Sequence, residues 1–359
     1  MTRRAAITLA GVAVFATLTA ILISKLTEPS ARTDEQFAVQ YDSDGFSSGE
    51  VRDGGPTPQS GASPRTGAVA PERWQKAARN AARRANALGG STAVAVWADP
   101  WAGPVVAGPT SKPDRMWSSS KPVVAVALLQ AEAANGSEPT PGTLSAMRRA
   151  IVRSENCRQR QVVAALQEAA GGPGDAIDQF LQTLSAASAS DVEVSSETVA
   201  PAGDCVGYLR TQQDALKDPL QDAIQLGTAS WTPRDAVGFA HYLGTGGYGE
   251  AGEQVLDLMR IPKQVSTEID SPSEYTAALD WGAGKAFAGL EPAYKSGWGG
   301  VTTQNFLASQ VVYVKGDDGV GYAAVVVFHP DKTPNGDDPG RTPAPSALRA
   351  AFKTLREEM

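Results

Sequence analysis

Ser118 and Lys121 stand three positions apart in Met116-Trp117-Ser118-Ser119-Ser120-Lys121-Pro122, just ahead of the apolar run Val123 to Leu129. On a helix, positions i and i+3 share a face, so the lysine amine comes within reach of the serine hydroxyl. A serine hydroxyl needs an adjacent base to act as a nucleophile, and a lysine with its pKa lowered by burial or nearby cations can be that base. At a helix start, Ser118 would also offer its own backbone N–H to a developing oxyanion. This is the only S-x-x-K in the chain. Two further short motifs are equally unrepeated: Ser154-Glu155-Asn156, where an apolar helical run turns polar, and Lys295-Ser296-Gly297, ahead of a C-terminal hairpin. Taken singly, each is as well explained by a capping serine or a solvated lysine. The three in this order call for a common account.

The surrounding elements must bring them together. Pro71 to Leu88 has Trp74, Ala77, Ala78, Ala81 and Ala82 at helical spacing and is stopped by Gly89-Gly90. Ser91 to Trp97, a turn at Asp99-Pro100, and Gly103 to Gly108 read as a hairpin. From Ser118 to about Gly284 the pattern is mostly helical, with segments opened by Thr140-Pro141-Gly142, running over Gln161 to Ala170 and Ala176 to Leu184, and started again by Thr232-Pro233-Arg234-Asp235. Phe306 to Val314 and Val320 to Phe328 are β-rich and joined by Gly316-Asp317-Asp318-Gly319, and Pro345 to Glu358 is an amphipathic helix. Strands and a helix at both ends, with helices between, predict an α/β (α+β) fold: one sheet assembled from the two termini beside an all-α lobe.

With these motifs the sequence resembles the serine β-lactamases and penicillin-binding proteins, whose signature is S-x-x-K, S-D-N and K-T-G. The likeness covers roughly Glu72 to the C-terminus. It includes Thr232-Pro233, like a helix start of class A β-lactamases, and Ser118-x-x-Lys121-Pro122, closer to penicillin-binding transpeptidases. The resemblance implies a five-stranded antiparallel sheet flanked by terminal helices, with the α-lobe over about residues 118–285. It implies Ser118 as the acylated nucleophile, Lys121 as its base or proton relay, and Ser154 as the proton donor to the leaving group. Asn156 would bind the substrate amide, while Lys295 and Ser296 would hold a substrate carboxylate. The backbone N–H groups of Ser118 and of Trp298, which follows Gly297, would form the oxyanion hole. No cofactor or metal is implied. The substrates implied are D-Ala-D-Ala-type stem peptides of peptidoglycan, or β-lactams.

One departure concerns deacylation. Class A β-lactamases use a glutamate in an E-x-x-x-N loop between the second and third motifs. Between Asn156 and Asn305 this chain has no asparagine, so Glu168, Glu193 and Glu197 cannot complete that pattern. Three readings follow: a D,D-peptidase-like enzyme or slow penicillin-binding protein, a β-lactamase, or a degenerate cell-wall binding module. A Ser-His-Asp hydrolase fits less well, because His241 lies mid-helix, His329 ends a strand, and Gly45-Phe46-Ser47-Ser48-Gly49 lacks the strand and helix a nucleophile elbow requires.

The chain of 359 residues carries a net charge of −7, which speaks against a nucleic-acid partner. Arg3 and Arg4 precede an uncharged stretch from Ala5 to Ser24, long enough to cross a bilayer, with the remainder sent outside. Residues 1–27 therefore read as a transmembrane anchor or a signal peptide, 28–70 as a disordered linker rich in Ser, Thr, Gly, Pro and Asp, and 71–359 as the folded domain. In an extracytoplasmic setting the only two cysteines, Cys157 and Cys205, are expected to form a disulfide.

Overall fold

The structure is a computed structural model. It describes residues 68–111, 113–187, 192, 229–261, 263, 282–299, 306–332 and 342–359. The anchor or signal at residues 1–27, the linker up to residue 67, and Cys205 lie outside the described residues.

The chain opens with α1 (Glu72–Asn86), whose buried stripe is Trp74 followed by five alanines. It continues through β1 (Gly90–Ala98), β2 (Val105–Ala107) and the short β3 (Asp114–Arg115). A 3₁₀ turn, Trp117–Ser120, leads into α2 (Lys121–Ala134). The lobe is completed by α3 (Pro141–Val152), α4 (Asn156–Ala170), α5 (Pro173–Ala186), the short β4 (Ser230–Trp231), α6 (Pro233–Gly244) and α7 (Gly249–Arg260). A single turn, α8 (Ala283–Ala286), precedes β5 (Ala293–Gly299), β6 (Leu307–Lys315), β7 (Gly321–Pro330) and the last helix α9 (Ala344–Arg356).

The five long-range strands form one antiparallel sheet in the order β2-β1-β7-β6-β5. The pairing of β1 with β7 joins the two ends of the chain, from Gly90 opposite Pro330 to Ala98 opposite Tyr322. Period-two alternation splits the sheet into two faces. Val94, Val96, Val312, Val326 and Phe328 meet α1 and α9, while Ala95, Val311, Val325 and Val327 meet the lobe. β3 pairs only with β4, a two-residue contact too short to show in the sequence pattern.

Two helices of the lobe matter for the site. In α2 every residue from Lys121 to Leu129 is buried, as expected of a helix that is apolar on all sides and runs through the core. In α6 the Thr232 hydroxyl accepts from Asp235 N–H while the Asp235 carboxylate accepts from Thr232 N–H, a reciprocal cap that fixes the helix start anticipated at Thr232-Pro233. α4 begins at Asn156, five residues before the apolar periodicity suggests, because its first turn is the polar Asn-Cys-Arg-Gln-Arg.

Among the described residues no helix is long and apolar enough to cross a membrane. Ala68 already exchanges hydrogen bonds with the turn after β1, Ala68 N–H to Pro100 O at 3.0 Å and Ala102 N–H to Ala68 O at 3.0 Å.

Candidate active site

Ser118 lies on the 3₁₀ turn and not on the α-helix that the S-x-x-K spacing predicts; α2 starts at Lys121 itself. The turn is entered through Trp117 at φ 44°, a left-handed conformation that a bulky residue rarely adopts. Residues three apart eclipse one another in a 3₁₀ turn, so Ser118 and Lys121 still share a side. Strain of this kind costs on the order of 1–3 kcal/mol and persists only where the surroundings over-determine it.

Here the surroundings are β5. A Cβ on Gly297 would lie 2.7 Å from Met116 O and 2.9 Å from Ser119 N, so only glycine lets the strand pass this close to the turn. The Ser119 and Ser309 hydroxyls meet at 3.3 Å, tying the turn to β6 as well. The two backbone segments that carry Ser118 and Trp298 are thereby held side by side.

Lys121 projects from the first turn of α2 into the segment joining α3 to α4. Its ammonium donates to Ser154 O at 2.6 Å, to Asn156 Oδ1 at 2.9 Å and to Ser154 Oγ at 3.3 Å. Lys295 reaches the same hydroxyl from β5, 2.8 Å from Ser154 Oγ, and donates to Ser296 O at 2.9 Å. Both lysines are buried, as is Ser154, which takes φ 58°. Burial, and then the neighbouring Lys121 and Lys263 ammonium groups, push Lys295 well below the ordinary lysine range.

Thus Lys121, Ser154, Asn156 and Lys295 form one hydrogen-bonded group. Ser118, half-buried, stands at its edge, its carbonyl accepting from the Lys121 backbone N–H. Ser296 is placed differently. It alternates with Lys295 along β5 and so faces α8 and α9, where its buried hydroxyl accepts from Gln310 Nε2 at 2.8 Å. Gln310 is itself fixed by Ala283 N–H, which donates to its Oε1 at 2.8 Å. Cys157 follows in the first turn of α4, and no cysteine among the described residues is free.

The sequence reading missed the support behind Ser154. The Glu155 carboxylate is fully buried and ringed by Arg149 Nε at 2.7 Å, Arg158 Nε at 3.8 Å and Arg153 Nη1 at 3.9 Å. Arg149, Arg153 and Arg158 lie within six positions of Glu155 in the sequence, but nothing there shows that they converge. A cavity of about 480 Å³ between α3 and α4 borders Arg149 and Arg158 and includes none of the site residues. The histidines stand apart from the cluster. His241 is stacked on Trp97 and bonded to Asp99 at 2.8 Å, and His329 meets Asp114 at 3.1 Å. Among the described residues no group of His, Cys, Asp and Glu could hold a metal ion.

No protein-family model matches the chain, and no curated protein matches it. Solved structures do. An ancestral class A β-lactamase superposes with a TM-score of 0.54 at 15% identity, over 79% of this chain and 100% of that one. This is the serine β-lactamase fold. A class A β-lactamase from Mycobacterium abscessus gives 0.51 at 13% identity, over 79% of this chain and 98% of its own. A β-lactamase from Burkholderia ambifaria gives 0.51 at 14% identity, over 77% and 97%. The β-lactamase fold accounts for the element order: a sheet made from both chain ends with a helical lobe inserted between them.

Proposed function

We propose that this protein is an extracytoplasmic serine acyl-transfer hydrolase of the β-lactamase fold, acting on D-Ala-D-Ala-type peptides or β-lactams through an acyl-enzyme on Ser118. The observation that carries this reading is the single hydrogen-bonded group of Lys121, Ser154 and Lys295 beside a serine held on a strained turn. Two buried amines sharing one hydroxyl have no structural task that an apolar pair would not perform at lower cost. They do provide a way to take a proton from Ser118 and return it to a leaving nitrogen.

Asn156 would orient the substrate amide, and Lys295 would face its carboxylate. The absence of asparagine between Asn156 and Asn305 removes the class A deacylation motif and supports a D,D-peptidase-like enzyme or slow penicillin-binding protein over a fast β-lactamase. The Arg3-Arg4 pair and the uncharged Ala5 to Ser24 support an N-terminal anchor or export signal, and with it the Cys157–Cys205 disulfide.

The test is intact-mass analysis over time after mixing with a penicillin. A persistent adduct supports the peptidase reading, and a transient adduct with turnover identifies a β-lactamase. Absence of any adduct refutes the enzyme and leaves a binding module.

A further inference from the structure

We infer that the cleft between α3 and α4 is a second binding site, for a peptide of about four residues with both termini free. Arg149 and Arg158 receive its terminal carboxylate, and Glu168 receives its terminal amine.

The shape comes first. α3 and α4 are joined by only Arg153-Ser154-Glu155, and the cleft follows both, from Thr140 to Arg149 and from Arg158 to Glu168. The two helices therefore run side by side in opposite directions. Arg149 and Arg158, near the connection, make one end of the cleft, and Thr140 and Glu168 make the other. The floor between them is small and apolar, formed by Ala146, Ala164 and Ala165. A volume of about 480 Å³ lies within the range of sites that take small ligands. The lining excludes Ser118 and both lysines of the active site, so the inference stands apart from the acyl-transfer reading.

The two ends carry opposite charge. At the inner end the Arg149 and Arg158 guanidiniums turn their Nε edges to Glu155, at 2.7 and 3.8 Å. Arg158 Nη1 donates to Gln161 Oε1 at 2.9 Å, which holds the side chain along the cleft wall. A peptide carboxylate would enter here as a second anion beside a group of three arginines and one carboxylate. The planar fork of a guanidinium suits a carboxylate. At the outer end Glu168 is exposed, and the Thr140 and Thr143 hydroxyls, bonded to each other at 2.9 Å, stand opposite it. Helix dipoles do not change these signs, because antiparallel neighbours place one N-terminus and one C-terminus at each end.

The spacing sets the length of the ligand. Arg158 and Glu168 are 168 − 158 = 10 positions apart on one helix, or ~15 Å at a rise of ~1.5 Å per residue. An extended peptide spans ~3.3–3.6 Å per residue, so about four residues reach both ends and two do not. A simple anion would satisfy the arginines and leave Glu168 unmatched. A dipolar chain answers both ends, and the alanine floor admits its backbone and small side chains.

The test is calorimetric titration of the full chain with tetra-L-alanine, its N-acetylated form, its C-terminal amide, and di-L-alanine. Amidation should weaken binding at least about tenfold, and acetylation up to about fivefold at low salt. Dialanine should bind more weakly than the tetrapeptide. In Glu168→Gln the free and acetylated tetrapeptides should bind equally, and in Glu168→Lys the acetylated form should bind better. Arg158→Gln should shrink the penalty of amidation. Should that variant not fold, since Arg158 also supports Glu155, the exposed Glu168 variants decide. No binding of tetra-alanine at millimolar concentration, equal binding of all four peptides, or an acetylation penalty that persists in Glu168→Gln overturns the inference. If penicillin fails to label the protein, the acyl-transfer reading falls and this titration is unaffected.

Discussion

Gly297→Ala probes the contact on which the site's geometry depends. The added methyl would sit 2.7 Å from Met116 O and from Ser119 Oγ, and 2.9 Å from Ser119 N, whereas ordinary contact begins near 3.4 Å. Clearing it requires about 0.7 Å of separation between β5 and the 3₁₀ turn. Two of the three obstructing atoms are backbone, on residues that bracket Ser118, so no side-chain rotation relieves the clash. Overpacking of this kind costs about 1–3 kcal/mol, or roughly 2–10 °C in Tm for a domain of this size. A displacement approaching 1 Å at a reacting group costs on the order of 100-fold in rate. We therefore expect the second-order rate of labelling by a fluorescent penicillin to fall between tenfold and a hundredfold, with a modest loss in thermal melting. Gly174→Ala on α5, whose methyl would meet nothing within 4 Å, is the control and should change neither. Labelling of Gly297→Ala at the unaltered rate would show that the strand-to-turn contact does not set the geometry of Ser118.

Ser118→Ala should abolish covalent labelling by penicillin in intact-mass measurements while the circular dichroism spectrum stays unchanged; a labelled alanine variant would mean that another residue is the nucleophile. Glu155→Gln removes the buried charge that three arginines surround and should cost about 3 kcal/mol in chemical denaturation; a loss below about 1 kcal/mol would show that the arginines are satisfied by solvent. Reduction of the proposed Cys157–Cys205 bridge, which would close a loop of 48 positions, should lower stability by roughly 4 kcal/mol and slow acylation by loosening Ser154 and Asn156. Equal acylation rates for oxidised and reduced protein would show that the bridge does not organise the site.

The parts of the molecule legible in the sequence are those whose function coincides with a repeating pattern. The alanine stripe of α1, the β6–β7 hairpin around Gly316 to Gly319, and the Thr232-Pro233 cap all follow local rules. β5 follows none. Ala293-Tyr294-Lys295-Ser296-Gly297-Trp298-Gly299 has no apolar alternation, because one face carries a buried lysine and a glycine pressed against the turn while the other carries Ser296. Its strand character came from family likeness alone. Convergence is the other thing a sequence conceals. Gln310, beside Ser309, breaks the apolar run of β6, a visible anomaly, but that it would bridge Ala283 and Ser296 depends on three separate elements. The placement of Ser118 on a 3₁₀ turn likewise comes from β5 pressing on the chain and not from the propensity of Trp-Ser-Ser-Ser.

The pairing of β1 with β7 has a consequence for how the protein is made. Gly90 meets Pro330 at a separation of 330 − 90 = 240 positions, and β6 cannot join the sheet except through β7. A ribosome or an export channel releasing the chain from its N-terminus would deliver α1 and the first hairpin long before their partners exist. β1, buried on both faces, and α1, with its one apolar stripe, must wait while the whole helical lobe emerges. Completion of the sheet, and with it the pressing of β5 against the serine turn, is thus deferred to the last stage of synthesis. A nascent chain arrested before β7 would carry both Ser118 and Lys295 and still lack the strand that anchors β5 and β6 to the rest of the sheet.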